Sequence, residues 1–148
     1  MSVISLSQAS TIVDVALKKA RETNLAPLTV AVLDAGGHLV ALKREDGSSL
    51  LRPQIATAKA WGTLGMGFGG RELARRAAAN PTFFATLTEL AGGNMVPVQG
   101  GVLIRDPAGP LLGAVGISGD RSDLDEACAL AGIAAAGLVA DPGGDVSG

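Results

Sequence analysis

The chain has no tyrosine, one tryptophan, one histidine and one cysteine among its 148 residues. Aromatics make up 3% while hydrophobic residues reach 47%, so a core must be built from Ala, Val, Leu and Ile. A lone cysteine, Cys128, cannot close an intrachain disulfide. Flanked by Ala127 and Ala129, it is expected to be buried packing rather than a nucleophile. A lone His38 excludes, within one subunit, a zinc site of two or three imidazoles and bis-histidine haem ligation, and no metal site is expected. The net charge is −2 with a pI near 5.3, and neither a Lys/Arg run nor a set of stacking aromatics argues for nucleic acid. The trio Arg71, Arg75 and Arg76 reads as a solvated helix face. The N-terminal Met1-Ser2-Val3-Ile4-Ser5 lacks the basic and apolar parts of a secretory leader. The longest apolar run, Ala127 to Ala140, is about 14 residues, too short to span a bilayer. A cytoplasmic protein with no membrane partner is therefore expected.

What the chain does have is two glycine-punctuated strand–turn–strand blocks. The first runs from Val30 through Leu33-Asp34-Ala35-Gly36-Gly37-His38 to Arg44; the second runs from Gly100 through Arg105-Asp106-Pro107-Ala108-Gly109-Pro110 to Gly119. Each brackets a Gly/Asp/Pro turn with apolar, partly β-branched segments, a strong hairpin signal. Helical patterns fill the rest. Ser5-Leu6-Ser7-Gln8 is a capping box, and Ala9, Ile12, Val13, Ala16 and Ala20 follow at helical spacing to about Thr23-Asn24. Pro53 suits the first turn of a second helix carrying Ala58, Lys59 and Gly62. Short helices are expected over 71–78 and 82–90, divided by Asn80-Pro81 and stopped by Gly92-Gly93. Met95 to Gln99 reads as an extended linker. A C-terminal helix follows, capped by Asp120 or Ser122 and led by Asp123, Asp125 and Glu126.

The Val-Leu-Asp-Ala-Gly-Gly-His turn, Ala58-Lys59-Ala60, Gly100-Gly101-Val102-Leu103-Ile104 and Gly113-Ala114-Val115-Gly116-Ile117-Ser118-Gly119 stand in an order that resembles the GlcG/HbpS family of haem-binding and proposed haem-degrading proteins. The likeness runs from about Leu6 to Leu138. It implies one α+β domain over 1–140, profilin-like, with an antiparallel sheet of four or five strands flanked by helices, and a flexible tail over 141–148. The terminal helices are expected on one face, with the short central helices rimming a pocket. The resemblance also implies a homo-oligomer and a haem cofactor or ligand. Some haem-sensing members carry a Glu-x-x-Glu pair where this chain has Gln54 and Thr57, so an iron site of that kind is not expected. A threonine oxygen serves haem in the family, and Thr82, Thr86 and Thr88 are its counterparts to choose among.

Candidate chemistry is sparse. His38 at a hairpin tip is a ligand or proton carrier or an ordinary surface residue. Lys59 interrupts a small apolar helix, so it snorkels, binds an anionic ligand or pairs with a carboxylate, for which Asp34 and Asp46 are the nearest hairpin choices. His38, Lys59 and Asp34 are the catalytic candidates. Trp61, Met66, Phe68, Phe83, Phe84 and Met95 gather the aromatics in one region, as core or as lining for a flat ligand. With Gly93, Gly100 and Gly101, the residues Lys59, Trp61, Phe83, Phe84 and Met95 form the candidate ligand-binding set. Ser118-Gly119 before a helix N-terminus offers backbone donors to a carboxylate or phosphate. Three functions compete: a binder of haem or another flat anionic compound, a cofactor-independent catabolic enzyme acting on a small organic acid or ring compound, and an accessory subunit without ligand. Finally, the run 127–140 shows no polar face, and its Ala129, Gly132, Ala136 and Gly137 suit a helix–helix contact between subunits.

Overall fold

The computed structural model describes residues 3–144. Helix α1 (Leu6–Glu22) starts at the expected capping box: the Ser5 hydroxyl accepts the Gln8 N–H, and the Gln8 side chain accepts the Ser5 N–H. Strands β1 (Thr29–Asp34) and β2 (Leu39–Arg44) form the first hairpin, turning on Gly37 at φ 85°. Helices α2 (Arg52–Met66), α3 (Gly70–Ala79) and α4 (Pro81–Leu90) follow. Strands β3 (Gly101–Arg105) and β4 (Leu111–Ser118) form the second hairpin, and α5 (Ser122–Ala135) and β5 (Val139–Asp141) end the described chain.

All strand pairings are antiparallel, in the order β2-β1-β4-β3-β5. The period-2 alternation of a strand sends its side chains to two faces. Val30, Val32, Val102, Ile104, Val115 and Ile117 join Ile12, Val13, Cys128 and Ile133 in the main core beneath α1 and α5. Ala114 and Leu103 face the other way, where Ala60, Trp61 and Leu64 of α2 cover them. Helix α2 lies so close to the sheet that a side chain on Gly116 would run into the Ala56 carbonyl. The small residues that thin the sequence of aromatics thus let three layers pack closely. Cys128 is buried as expected, and burial pushes its thiol up to about 11, which keeps it protonated.

Several expectations are corrected. The apolar run 127–140 is not one helix. It breaks at Gly137 (φ 74°), and Val139–Asp141 returns as an edge strand on β3. Just past residue 140 the Arg71 N–H donates to the Pro142 carbonyl; residues 145–148 of the expected tail lie outside the described residues. Neither Asp120 nor Ser122 caps α5, whose cap residue is Arg121 with no side-chain bond. Gly132 of α5 packs closely on α1: a Cβ there would stand 2.5 Å from the Ile12 carbonyl oxygen. Among the described residues no helix is long and apolar enough to cross a membrane.

Gly132→Ala tests that contact with a clear sign. In an open helix interior the change would stabilise by about 1 kcal/mol. Here overpacking against α1 is expected to win and to lower stability by about 1–3 kcal/mol in urea denaturation.

Candidate functional site

The expected site residues fall into three places. Lys59, Gly100 and Gly101 meet inside the protein, at the end of the sheet where β3 begins. The Lys59 ammonium lies 3.3 Å from Asp125 Oδ2, with the two side chains 4% and 0% exposed. Asp125 stands in the first turn of α5, so the lysine's partner is neither Asp34 nor Asp46. A Cβ on Gly100 would fall 2.8 Å from Lys59 Nζ, and one on Gly101 would fall 2.5 Å from its carbonyl. These glycines clear the path of the lysine rather than making room for a ligand. The other Asp125 oxygen accepts the Asp120 N–H at 3.0 Å. The Asp120 N–H, just after Ser118-Gly119, is therefore met by the chain's own carboxylate.

Beside this pair lies a second. Arg71 of α3 donates to both Glu126 oxygens, at 2.8 and 2.7 Å, and Gln99 donates to Glu126 at 3.3 Å. Arg71 is thus turned inward, while Arg75 and Arg76 remain on the surface paired with Glu72. Desolvation pushes the Lys59 amine down and the Asp125 carboxyl up, each opposed by the charge of the other. Taken alone, a raised Asp125 costs stability as pH rises through the carboxylate range. A lowered Lys59 costs stability as pH falls through the amine range, so burial taxes both charges at neutral pH. Their mutual attraction offsets that cost, and removing one partner exposes it.

The aromatics do not line one pocket. Phe84 and Met95 are buried with Leu73, and Met66 and Phe68 pack beside them, so the α3–α4 cluster is a small satellite core. Phe83 is 56% exposed and meets Phe84 edge-on at 5.9 Å. Gly93 sits in an open turn after α4, with nothing near its missing side chain. The surface depressions of about 440 and 380 Å³ contain none of the candidate ligand-binding set: Arg21, Lys43 and Arg44 line one, and Phe68, Glu72 and Arg76 line the other. The short central helices therefore do not rim a pocket built from the expected set.

Trp61 is elsewhere, beneath the first hairpin turn. A Cβ on Gly37 would be 3.0 Å from its Nε1, and Trp61 joins Leu64, Ala35, Gly36, Gly37 and Gly65 around a shallow depression of about 150 Å³. At its edge His38 Nδ1 lies 3.1 Å from Asp34 Oδ1, with the imidazole 80% exposed. The same oxygen accepts the Gly36 and His38 N–H groups, both at 3.0 Å. Hydrogen bonding from the His38 backbone, together with its side chain and Gly36, holds the Asp34 carboxyl below its ordinary value against a smaller opposing effect of burial. An ionised carboxylate only accepts, so Nδ1 carries the proton in this contact and Nε2 is left for another partner. Of the catalytic candidates, His38 and Asp34 on this turn reach solvent while Lys59 is buried; Thr82 and Thr86 lie exposed on α4. Asp125, Glu126 and Arg71 are the members of the interior network that sequence reasoning missed. For Asp125 and Glu126 the trace was an acidic start to α5, which reads equally well as a dipole complement, and Arg71 read as part of a solvated face.

Fold and site together define a small single-domain α+β protein, with an antiparallel sheet between helical layers and a polar turn on its rim. The chain belongs to the family described as haem degrading protein HbpS-like, which matches residues 4–134. It is similar to the protein in a crystal structure of a PduOC–haem complex, at 25% identity over 93% of this chain and 97% of that one, with a TM-score of 0.83. It is likewise similar to Streptomyces reticuli HbpS, seen as a double mutant, at 27% identity over 90% of this chain and 87% of the other, with a TM-score of 0.77. The Klebsiella pneumoniae protein ORFY, at 23% identity over 93% and 92% with a TM-score of 0.83, shares the fold. No curated protein matches the sequence.

Lys59→Met leaves Asp125 buried without its cation. Stability at pH 7 is expected to fall by about 3–5 kcal/mol. The deficit shrinks as pH falls, because protonation removes the unpaired charge. Lys59→Met with Asp125→Asn, which keeps an acceptor for the Asp120 N–H, should recover most of the pH 7 loss in denaturant titrations.

Proposed function

We propose that this protein is a cytoplasmic small-molecule-binding protein whose ligand is haem or another flat anionic compound, engaged at the first hairpin turn. The observation that carries the reading is the Asp34–His38 contact, which fixes the imidazole through Nδ1 and leaves Nε2 for a ligand, on the turn whose Gly36 and Gly37 line a depression with Trp61. A carboxylate behind a ligating histidine is the arrangement that orients such a ligand and raises its basicity. Family membership and the haem complex of a similar protein support the same ligand class. His38 would hold the iron, Asp34 would fix the ring, and Trp61 with Leu64 would give an apolar edge to a planar group. When bound, haem would supply redox chemistry that the chain's own side chains lack. A porphyrin exceeds the depression of about 150 Å³, so much of it would remain uncovered by one copy of the chain. We further propose a homo-oligomer, since Leu39, Leu50, Leu51, Phe83 and Leu90 present large exposed apolar side chains.

The same geometry favours one second reading. An imidazole oriented by a carboxylate is also a general base, so turnover of a small organic acid or ring compound would use His38 as proton carrier.

Haemin titration followed by absorbance decides between these readings. A saturable Soret shift is expected for the wild type. His38→Gln should abolish the axial-ligand signature, and Asp34→Asn should weaken affinity by about 10–100-fold. A flat wild-type titration removes haem; a Soret shift unchanged in His38→Gln removes His38. Light scattering at micromolar concentration checks the oligomer, and a monomer refutes it.

A further inference from the structure

Far from the His38 turn, at the other end of β1, three side chains stand in a row across the sheet. Thr29 pairs with Arg44 of β2 on one side and with Ser118 of β4 on the other. Directly opposed residues share a face. Its neighbour Val30 belongs to the core under α1 and α5, so the row lies on the face covered by α2. Arg52, in the first turn of α2, reaches the same row. Its NH1 donates to Ser118 Oγ at 3.0 Å and its Nε donates to Ser49 Oγ at 3.2 Å. The Arg44 guanidinium donates to the Ser48 carbonyl.

All of these acceptors are uncharged. Among the described residues neither Arg44 nor Arg52 has a carboxylate at ion-pair distance. The nearby acids are engaged elsewhere: Glu45 accepts the Leu28 N–H and pairs with Arg21, and Asp120 accepts the Ala26 and Arg121 N–H groups. Asp46 is exposed in the loop that follows β2. The N-terminus of α2 has no side-chain cap; its Arg52 N–H is taken by the Ser49 carbonyl and Pro53 has none, so it is the positive end of the helix that adds to the same potential. Two hydroxyls here, Thr29 Oγ1 and Ser48 Oγ, are buried without any hydrogen-bond partner, their residues 0% and 6% exposed. Buried polar atoms without partners are rare in folded proteins, and they are unexplained here by anything the chain itself supplies.

We propose that this cluster binds a small oxyanion, a carboxylate or phosphate group, between the guanidinium groups of Arg44 and Arg52 and the hydroxyls of Thr29, Ser48 and Ser118. An oxyanion turns neutral hydrogen bonds into charge-assisted ones and gives both orphan hydroxyls an acceptor. Arg44 is exposed and Arg52 half-buried, so these two side chains form the outer wall that yields to the ligand. The site is independent of the His38 reading and stands at the opposite end of the strand.

The full chain is titrated with sodium phosphate and with sodium acetate, against sodium chloride at matched ionic strength, by thermal unfolding and calorimetry. A saturable rise in Tm with either oxyanion, absent with chloride, is expected, and the preferred probe tells a tetrahedral from a planar group. Arg52→Gln and Arg44→Gln should each weaken binding by about 10–100-fold. Thr29→Val, which removes an orphan hydroxyl at constant shape, should weaken it about tenfold without lowering the anion-free Tm. Chloride acting as well as the oxyanions overturns the proposal, as does binding unchanged in Arg44→Gln and Thr29→Val. Arg44 is exposed, so its variant is expected to fold even where Arg52→Gln does not. Haemin titration of Arg44→Gln should match the wild type, which separates failure here from failure at the hairpin turn.

Discussion

The interaction on which the arrangement depends is the Lys59–Asp125 ion pair at the end of the sheet. Helix α2 covers one sheet face and α5 the other, and apolar packing against a sheet does not by itself fix how two layers on opposite faces sit relative to one another. The lysine passes over Gly100 and closes on Asp125, joining the layers where β3 starts and β4 ends. Arg71 and Glu126 repeat the link from α3. Such pairs add little net stability over apolar packing, because desolvation cancels most of the attraction. A geometric role is the better account of them: each charge is tolerable only where its partner stands, so α5 has one acceptable position.

That arrangement gives the molecule two separate polar ends. At one end the Lys59–Asp125 and Arg71–Glu126 pairs turn their charges on each other. At the hairpin tip the charges are arranged differently. Asp34 uses one oxygen to hold two backbone N–H groups and the imidazole, so the turn is rigid and His38 is aimed by the same atom that stabilises the backbone. A depression floored by Trp61 lies beside it. The functional reading rests on that rigidity, since an imidazole free to rotate on an exposed strand would give no defined site.

Much of the scaffold was legible in the chain. The capping box at Ser5, the turn at Gly37 and the start of α2 near Pro53 are set by local chemistry that needs no tertiary partner. The candidate site was legible only in pieces. Lys59 stood out as a cation among small residues, yet its partner lies 66 positions away and could not be ranked above Asp34 or Asp46. Phe83, Phe84 and Met95 looked like a pocket lining because they are close in sequence to one another and to glycines. In the fold Phe84 and Met95 close a satellite core and Phe83 is left outside.

The sequence alone determined the two hairpins, the helices up to the start of α5 and the family, because periodicity, caps and turn residues act over a few positions. It also restricted any histidine chemistry to one imidazole per chain. Only the tertiary structure decided that the apolar run 127–140 ends in an edge strand, that Gly132 of α5 packs closely on α1, and that a fully buried Thr29 lies between Arg44 and Ser118. Those outcomes depend on which distant surfaces bury each other and which buried charges find partners. Both are properties of the whole packed chain rather than of any window along it.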